Sequence, residues 1–244
     1  NIAVSSRTPT DADIYDAGDP YAFPSLKVLS TNLSISGDTS FVFGDPTAKS
    51  ERVYDFELGG NYRTKSWNAG INLFWMEFRD EIIPYGGVNA NNGLPITVNA
   101  DRSVHAGVEL SANVIPATHL TLSGNAPFNY NRIKRYTAEL LSYDVNYNEI
   151  GRVAVDLADK KISGFPEYLA NLLADYNTER FRVTYRLRLI GKQYMELLNI
   201  DSLAINSHMV SSISGEYRFK KFLNLGTLAV SLRVDNLFNQ KFLT

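Results

Sequence analysis

The 244-residue sequence contains no cysteine, and it has no long hydrophobic run. The missing cysteines exclude disulfide bonds and thiolate metal sites. A membrane-spanning helix needs a run of about 18 apolar residues, and no segment of the sequence approaches that length. A helical membrane protein is therefore excluded, even though hydrophobic residues make up 44% of the chain.

The sequence also has little net charge, and it lacks the common motifs of catalysis. A formal net charge of −2 and a pI near 6.0 argue against nucleic acid as a partner. There is no Gly-x-Ser-x-Gly motif, phosphate-binding loop or catalytic carboxylate pair. The three histidines are scattered without metal-ligand spacing, so no metal site is predicted. We therefore expect no enzymatic activity and no cofactor.

What the sequence does have is regular alternation of apolar and polar residues, which is typical of a half-exposed β-strand. The last such segment carries two distinct faces. One face consists of Leu228, Val230, Leu232 and Val234, and the other of Ala229, Ser231, Arg233 and Asp235. Similar segments occupy residues 51–63, 67–78, 103–113, 119–131, 168–176, 180–189 and 209–219. The pattern predicts about eight complete strands.

The length of these segments and the aromatic content suit a membrane barrel. A tilted barrel strand crosses the membrane with about 9–11 residues. Aromatic residues make up 12% of the chain, with 14 Tyr and 13 Phe. That share fits the aromatic girdles of a barrel, although a soluble all-β domain can also reach it. We therefore predict an all-β fold, a segment of an antiparallel transmembrane β-barrel.

The connections between the predicted strands alternate in length. Short connections are predicted at 64–66, 115–118, 177–179 and 220–225, and long ones at 84–97, 132–165 and 191–206. Outer-membrane barrels show this alternation because their periplasmic turns are tight and their external loops are free to grow. By this parity, residues 1–50 are predicted to be largely external. A short hairpin is expected within them at residues 35–43.

Three short motifs resemble one family of outer-membrane proteins. Residues 236–242 read Asn-Leu-Phe-Asn-Gln-Lys-Phe. They are similar to the Asn-Leu-Phe-Asn-x-Lys-Tyr signature near the C-terminus of TonB-dependent receptors, with Phe242 where Tyr is usual. Residues 7–13 resemble an Arg-x-Pro-x-x-x-Asp stretch of these receptors, and residues 56–59 resemble their Tyr-Glu-Leu-Gly strand. The resemblance implies an outer-membrane receptor of a Gram-negative bacterium.

The same resemblance implies that residues 1–244 are the C-terminal part of a larger barrel, expected to have about 22 strands. No signal peptide opens the sequence. The plug domain and the final closing strand are expected to be absent. An open sheet in lipid would leave backbone groups unpaired at its edges. The expected partners are therefore the remainder of the barrel, a plug domain, outer-membrane lipid and, through the missing N-terminal part, TonB.

Three functions are consistent with the predicted strands. The resemblance implies a transporter that takes up a scarce nutrient, such as a ferric chelate, cobalamin or a glycan. A self-contained eight-stranded outer-membrane barrel, acting as an adhesin or anchor, requires residues 51–63 to pair with residues 228–236. A soluble carbohydrate-binding β-sandwich requires the aliphatic rows to pack against each other in a closed interior.

Two sets of residues are candidates for ligand binding. The first is a basic stripe on the face opposite the lipid row, where guanidinium groups suit an anionic ligand. Its members are Arg180, Arg182, Arg186 and Arg188. The alternative is that they pair with acidic groups such as Glu57, Glu109, Glu216 or Asp235. The second set lies on predicted external loops. Its members are Tyr85, Asn89, Asn91, Tyr136, Tyr143, Tyr147 and Tyr194.

Overall fold

The computed structural model describes residues 1–10, 26–33, 39–46, 48–88, 95–146, 148–220 and 226–241. These residues form fifteen strands and one 3-10 helix at Asp201–Leu203. The strands are β1 (Ile2–Arg7), β2 (Leu26–Leu33), β3 (Thr39–Pro46), β4 (Glu51–Arg63), β5 (Trp67–Val88), β6 (Pro95–Ala117), β7 (Leu120–Arg135), β8 (Thr137–Tyr143), β9 (Glu149–Asp156), β10 (Leu169–Asn177), β11 (Phe181–Ile190), β12 (Gln193–Tyr194), β13 (Ala204–Ile205), β14 (His208–Phe219) and β15 (Leu228–Asp235).

Nine of these strands form one large antiparallel sheet. Their order is β1-β4-β5-β6-β7-β10-β11-β14-β15, so each strand pairs with the next large strand along the chain. The eight predicted strands are β4 to β7, β10, β11, β14 and β15, and β1 adds a ninth. The antiparallel fold class is confirmed. Within the described residues, β1 and β15 are the two edges of the sheet and the barrel is not closed.

The predicted alternation of connections is confirmed except between β5 and β6, where residues 89–94 are fewer than the residues 220–227 that join β14 to β15. The chain turns within 64–66, 118–119 and 178–180, and at the other end of the sheet the β1–β4, β7–β10 and β11–β14 connections are long. Three of the long connections contain a two-stranded hairpin each, formed by β2 and β3, β8 and β9, and β12 and β13. Residues 221–225 of the last short connection lie outside the described residues.

Several predicted boundaries were wrong at the long-connection end. β5 runs to Val88 and β6 starts at Pro95, so both ends of the predicted 84–97 loop belong to strands. Residues 132–165 were expected to be irregular, yet they include β8 and β9. The hairpin expected at 35–43 is larger, since β2 begins at Leu26. Alternation fades in these regions because both faces of a strand that projects beyond the membrane contact polar surroundings or loops.

Two of the short turns are built in the same way around a threonine. The Thr64 Oγ1 atom accepts a hydrogen bond from the Trp67 backbone N–H at 3.1 Å, and the Thr64 N–H donates to the Trp67 carbonyl at 2.8 Å. Thr178 makes the same two bonds with Phe181, at 3.1 and 2.9 Å. The hydroxyl thus satisfies the backbone donor that a tight turn leaves free.

One face of the large sheet is apolar and exposed. Cross-strand pairing aligns its side chains in rungs across β4 to β7. One rung joins Phe56, Trp75, Ala106 and Tyr130, and the next joins Leu58, Leu73, Val108 and Phe128. Leu58 and Leu232 are each 73% exposed. Among the residues that the structure describes, these aliphatic rows are exposed and pack against no second sheet, which contradicts the arrangement that the sandwich hypothesis requires.

Aromatic pairs mark the short-turn end of this apolar face. Ring centroids lie 5.2 Å apart for Tyr62 and Trp67, and 5.5 Å apart for Tyr176 and Phe181. Tyr217 and Phe219 form a third pair at 4.7 Å. Rings that border an apolar band are the girdles expected at the interface of a membrane barrel.

The buried hydrophobic cluster lies at the opposite end of the sheet, among the long connections. Its members are Ile83, Ala100, Ile133, Ala138, Leu157, Ile162 and Leu197. The ends of β5, β6 and β7 therefore continue past the apolar band and serve as the base on which the long connections pack. Among the described residues, no helix is long and apolar enough to cross a membrane.

Candidate functional site

The predicted basic stripe lies on the polar face of the sheet, except for its first member. Arg182, Arg186 and Arg188 alternate with the apolar residues of β11. Arg180 lies in the short turn before β11, where its carbonyl accepts a hydrogen bond from the Arg218 backbone N–H at 2.7 Å. The structure therefore brings three of the four arginines together on one strand.

Neighbouring strands supply partners for two of these arginines. The Arg182 Nε atom lies 2.7 Å from Asp175 Oδ1, and the Thr184 hydroxyl donates to the same oxygen at 2.6 Å. The Arg188 Nε atom donates to Asn171 Oδ1 at 3.0 Å. Asp175 was not among the acidic partners considered from the sequence, because the register that places it opposite β11 depends on the β10–β11 turn.

Arg186 and Arg188 line a depression of about 660 Å³ on the polar face, together with Arg233 and Asp235. A second depression of about 500 Å³ lies over β4 to β7 and is lined by amide, hydroxyl and carboxylate groups. There the Asn72 amide donates to Glu109 Oε2 at 3.3 Å. The polar face thus combines exposed guanidinium groups with neutral hydrogen-bonding groups, a surface suited to a polar or anionic solute.

Tyr85 and Tyr136 pack against the buried cluster of the long connections. Burial raises the pKa of each phenol. Both rings therefore help to hold the base of the long connections, and each keeps part of its surface exposed.

Tyr194 lies in the β11–β14 connection and contacts charged groups on both sides. Its hydroxyl donates to Asp201 Oδ1 at 2.8 Å. The ammonium groups of Lys192 and Lys161 lie 4.9 and 5.4 Å from its ring centroid, within the range of cation–π attraction. Hydrogen bonds from Lys192 and then from Tyr194 lower the pKa of Asp201.

The other four loop candidates are Asn89, Asn91, Tyr143 and Tyr147. Asn89, Asn91 and Tyr147 lie outside the described residues, and so does the side chain of Tyr143. Their proposed contact with ligand stays a prediction.

The β7–β10 and β11–β14 connections are tied to each other by hydrogen bonds. The Asn199 amide group donates to the Lys161 carbonyl at 2.9 Å and accepts from the Lys161 backbone N–H at 2.6 Å. The Gly164 N–H donates to the Tyr194 carbonyl at 2.8 Å, and the Ser163 hydroxyl donates to the Pro84 carbonyl at 3.0 Å. These bonds hold residues 157–164 and 194–199 as one folded unit.

Sequence reasoning missed a buried polar network beside this unit. Glu81 receives a hydrogen bond from the Ser103 hydroxyl, and its Oε1 atom lies 2.8 Å from His105 Nε2. The ring of His105 contacts Phe78 and Phe165, each at 5.2 Å between centroids. Glu81 reaches this face because Asp80 adopts a left-handed backbone (φ 52°). No residue pattern signals that change.

No group of three or more metal-ligating side chains occurs in the part of the chain that the structure describes. The loop at Asp144 has an oxygen spacing that resembles the start of a calcium loop, but the Asp144 carboxylate makes hydrogen bonds within the loop. Asp144 Oδ1 accepts hydrogen bonds from the backbone N–H groups of Asn146 and Asn148, both at 2.8 Å. Hydrogen bonds from Asn148 and Asn146 lower the pKa of Asp144.

A meander of antiparallel strands with an exposed apolar face, a polar face, short turns at one end and long connections at the other is the wall of an outer-membrane β-barrel. The family model for the TonB-dependent receptor-like β-barrel matches residues 1–237. The chain belongs to this family. Its members are receptors and transporters of the Gram-negative outer membrane, and they are not enzymes.

Solved structures agree on the fold. The chain is similar to the copper transporter OprC, with a TM-score of 0.61 at 14% identity, covering 99% of this chain and 31% of that one. It is also similar to the ferric yersiniabactin uptake receptor FyuA from Yersinia pestis, with a TM-score of 0.59 at 15% identity, covering 99% and 29%. For a variant of the ferric enterobactin receptor PfeA from Pseudomonas aeruginosa, the TM-score is 0.56 at 19% identity, covering 97% and 32%.

These identities are low, so the likeness shows the fold and nothing about the ligand. The chain spans about a third of the length of these solved structures. A comparison with curated protein sequences found no match.

Proposed function

We propose that this chain forms part of the wall of a TonB-dependent transporter that imports a scarce nutrient through the outer membrane of a Gram-negative bacterium. The observation that carries the proposal is the division of one nine-stranded sheet into an exposed apolar face and a polar face. The apolar face suits lipid and the polar face suits an enclosed, wet interior. Membership of the family supports the same function.

The proposal includes the rest of the receptor. Residues 1–244 belong to the C-terminal part of a larger barrel, and the plug domain, the closing strand and the TonB-binding segment lie outside them. β4 supports this arrangement because it pairs with β1 on one side and β5 on the other. The self-contained eight-stranded barrel requires β4 to pair with β15 instead.

We further propose that the nutrient is anionic, as many metal chelates are. Arg186, Arg188 and Arg233 line one depression on the polar face. Guanidinium groups bind carboxylates and phosphates with two hydrogen bonds each. Tyr85, Tyr136 and Tyr194, together with Asn89, Asn91, Tyr143 and Tyr147, remain the proposed external contacts.

The test is growth of a deletion strain supplied with one nutrient source at a time, namely ferric chelates, copper, cobalamin or glycans. Loss of growth on one source, restored by the intact gene, identifies the nutrient. Complementation with Arg186→Gln/Arg188→Gln is expected to restore growth on an anionic nutrient only at higher concentration. Undiminished growth on every source in the deletion strain would contradict import. Full complementation by the double variant would contradict only the role of these arginines.

A further inference from the structure

The hairpin of β8 and β9, in the β7–β10 connection, has two edges without a neighbouring strand. Within the described residues, β8 and β9 pair only with each other. The base of the hairpin is anchored, because Ala138 is buried in the hydrophobic cluster and its register partner Val155 packs against that cluster. Farther along β9, residues 150–154 are all exposed. This part of β9 therefore depends on β8 alone for its pairing.

The hydrogen-bond ladder of the hairpin shows which backbone groups point outward. The Leu157 N–H donates to the Tyr136 carbonyl at 3.0 Å, and from there the register continues without a shift as far as Gly151. In an antiparallel ladder, hydrogen-bonded pairs alternate with pairs that are not hydrogen-bonded. The N–H and C=O groups of Arg152 and Ala154 therefore point away from β8, toward the open edge of β9.

The open edge of β9 lacks the features that usually protect an edge strand from pairing with another chain. Proteins block such edges with proline, with lysine or with other charged side chains. Residues 137–156 contain neither proline nor lysine. Their one arginine, Arg152, has its Nη1 atom 3.1 Å from Glu139 Oε2, so its charge is offset within the hairpin. The backbone of β9 is therefore free to pair with a further strand.

Apolar side chains beside this edge are open to solvent. Val153 is 53% exposed and Ile150 is 64% exposed. Val153 and Val155 point to the same face of β9, because successive side chains of a strand alternate. The apolar face of β9 thus continues outward from the buried cluster. A strand added at the open edge gains apolar contacts as well as backbone hydrogen bonds.

The hairpin is acidic, and its charge indicates what kind of strand it accepts. Residues 137–156 contain four acidic residues, Glu139, Asp144, Glu149 and Asp156, and one basic residue, Arg152. A second copy of the chain brings the same excess of negative charge, and like charges oppose pairing. A strand that carries lysine or arginine is attracted instead. Charge complementarity therefore favours a basic partner over a second copy of this chain.

We propose that the open edge of β9 binds an extended, basic segment of another protein at the cell surface by strand addition. Backbone hydrogen bonds to Arg152 and Ala154 hold the added strand, and the apolar face around Val153 contacts its alternate side chains. The position at the cell surface rests on the proposed function, in which the long connections are external. The docking surface is separate from the depression that Arg186 and Arg188 line.

The test uses the full-length receptor in detergent and a fluorescent peptide of alternating lysine and valine, about as long as β9. Fluorescence anisotropy measures binding. We expect this peptide to bind, and a peptide with glutamate in place of every lysine to bind about tenfold or more weakly. A lysine–valine peptide that is N-methylated on every backbone nitrogen keeps its charge but cannot donate backbone hydrogen bonds. It is also expected to bind about tenfold or more weakly.

A substitution on β9 tests the same edge from the side of the receptor. Ala154→Pro removes an outward N–H that β8 does not use, and an edge strand tolerates proline when its nitrogen faces solvent. The variant is expected to bind the lysine–valine peptide about tenfold or more weakly. Ala154→Ser keeps the N–H and is expected to bind like wild type. Hydrogen exchange in Thr137–Tyr143 shows whether the hairpin of the proline variant is intact, and the methylated peptide tests the wild type even if it is not.

Three results would overturn the proposal: no binding of the lysine–valine peptide, equal binding of the acidic or the methylated peptide, or unchanged binding by an Ala154→Pro variant whose hairpin is intact. A receptor dimer that Ala154→Pro abolishes would overturn it as well, because a second copy would then occupy the edge. Nutrient import by the wild-type protein does not depend on these outcomes, so failure here leaves the transport proposal intact.

Discussion

Gly107 lies on the polar face of β6, where the absence of a side chain lets an aromatic ring of β5 pack against the backbone. It is the register partner of Phe74. A Cβ atom at this glycine would lie 2.8 Å from the Phe74 ring and 2.3 Å from the Phe128 carbonyl oxygen. The ring of Phe74 therefore covers a position that no larger residue can occupy. Such cover of a glycine by a cross-strand aromatic stabilises sheets.

Gly107→Ala is consequently expected to lower the free energy of unfolding by about 1–3 kcal/mol, the usual cost of overpacking. The comparison variant is Gly60→Ala, because a Cβ atom at Gly60 meets nothing within 4 Å. Urea titration of both variants, folded into lipid vesicles, measures the difference. Equal costs at the two glycines would contradict the close approach at Gly107.

The two faces of β15 are expected to differ in their tolerance of a charged residue. Leu232 belongs to the exposed apolar row and its neighbour Ser231 points to the opposite face. Leu232→Arg is expected to destabilise the protein by about 2–4 kcal/mol if the position lies near the bilayer midplane, whereas Ser231→Arg is expected to be mild. Unfolding free energies in vesicles provide the measurement, and equal effects at both positions would count against the assignment of faces.

The ion pair between Glu167 and Lys161 is expected to make the stability of the protein depend on pH. The pKa of Glu167 is lowered by a hydrogen bond from Lys161, at 2.5 Å, and by the charges of Lys161 and Arg132. A lowered pKa means that the ion pair contributes stability above the ordinary carboxyl pKa of about 4.3 and loses it as pH falls through the lower folded value. Because the carboxylate is 44% exposed, salt weakens the effect.

Lys161→Gln is therefore expected to lower Tm at neutral pH, and the difference from wild type should shrink as the pH falls below about 4. Lys160→Gln serves as the control, since Lys160 donates to the Leu198 carbonyl at 3.0 Å and that group does not titrate. A Tm difference for Lys161→Gln that stays constant down to pH 3 would rule out this ion pair as the cause.

At the scale of elements, the long connections form a folded unit and the large sheet serves as its base. The buried cluster around Ile133 and the bonds of Asn199 hold this unit together. An external ligand would therefore contact long connections that are held in place by a buried hydrophobic cluster beneath them.

Asn199→Ala is expected to open this unit locally, because it leaves the carbonyl and N–H groups of Lys161 without partners, at a local cost of about 1–3 kcal/mol. Hydrogen exchange in residues 157–164 and 194–199 should become faster, while exchange in β5 to β7 stays unchanged. Ser202→Ala, at an exposed position of the 3-10 helix, is the control. Exchange that becomes faster throughout the sheet would contradict a separate loop unit.

At the scale of the whole molecule, the exposed apolar face predicts that the protein is embedded in a membrane. Rows of exposed leucine, phenylalanine and tryptophan extend over adjacent strands, and soluble monomers rarely expose so large an apolar surface. Full-length protein is expected to fractionate with the outer membrane and to require detergent for extraction. Release into buffer by an alkaline wash would contradict a membrane-embedded wall.

The sequence alone determined the eight main strands of the large sheet, the two faces of each strand and most of the short turns. Those features depend on local chemistry, namely alternation with a period of two in segments such as 228–235 and tight turns such as the one at Thr64. The predicted ends of β5 and β6 were wrong, because hydrogen-bonded pairing between the two strands continues beyond the segments in which apolar and polar residues alternate.

Tertiary structure alone decided which side chains meet. The pairing of Arg182 with Asp175 and the alignment of Arg79 with Arg102 depend on register, and no single segment encodes register. The partners of Glu81 depend on a left-handed residue that nothing in its neighbours signals. Local patterns fix how each strand presents its faces, whereas contacts between strands exist only after the whole sheet has assembled.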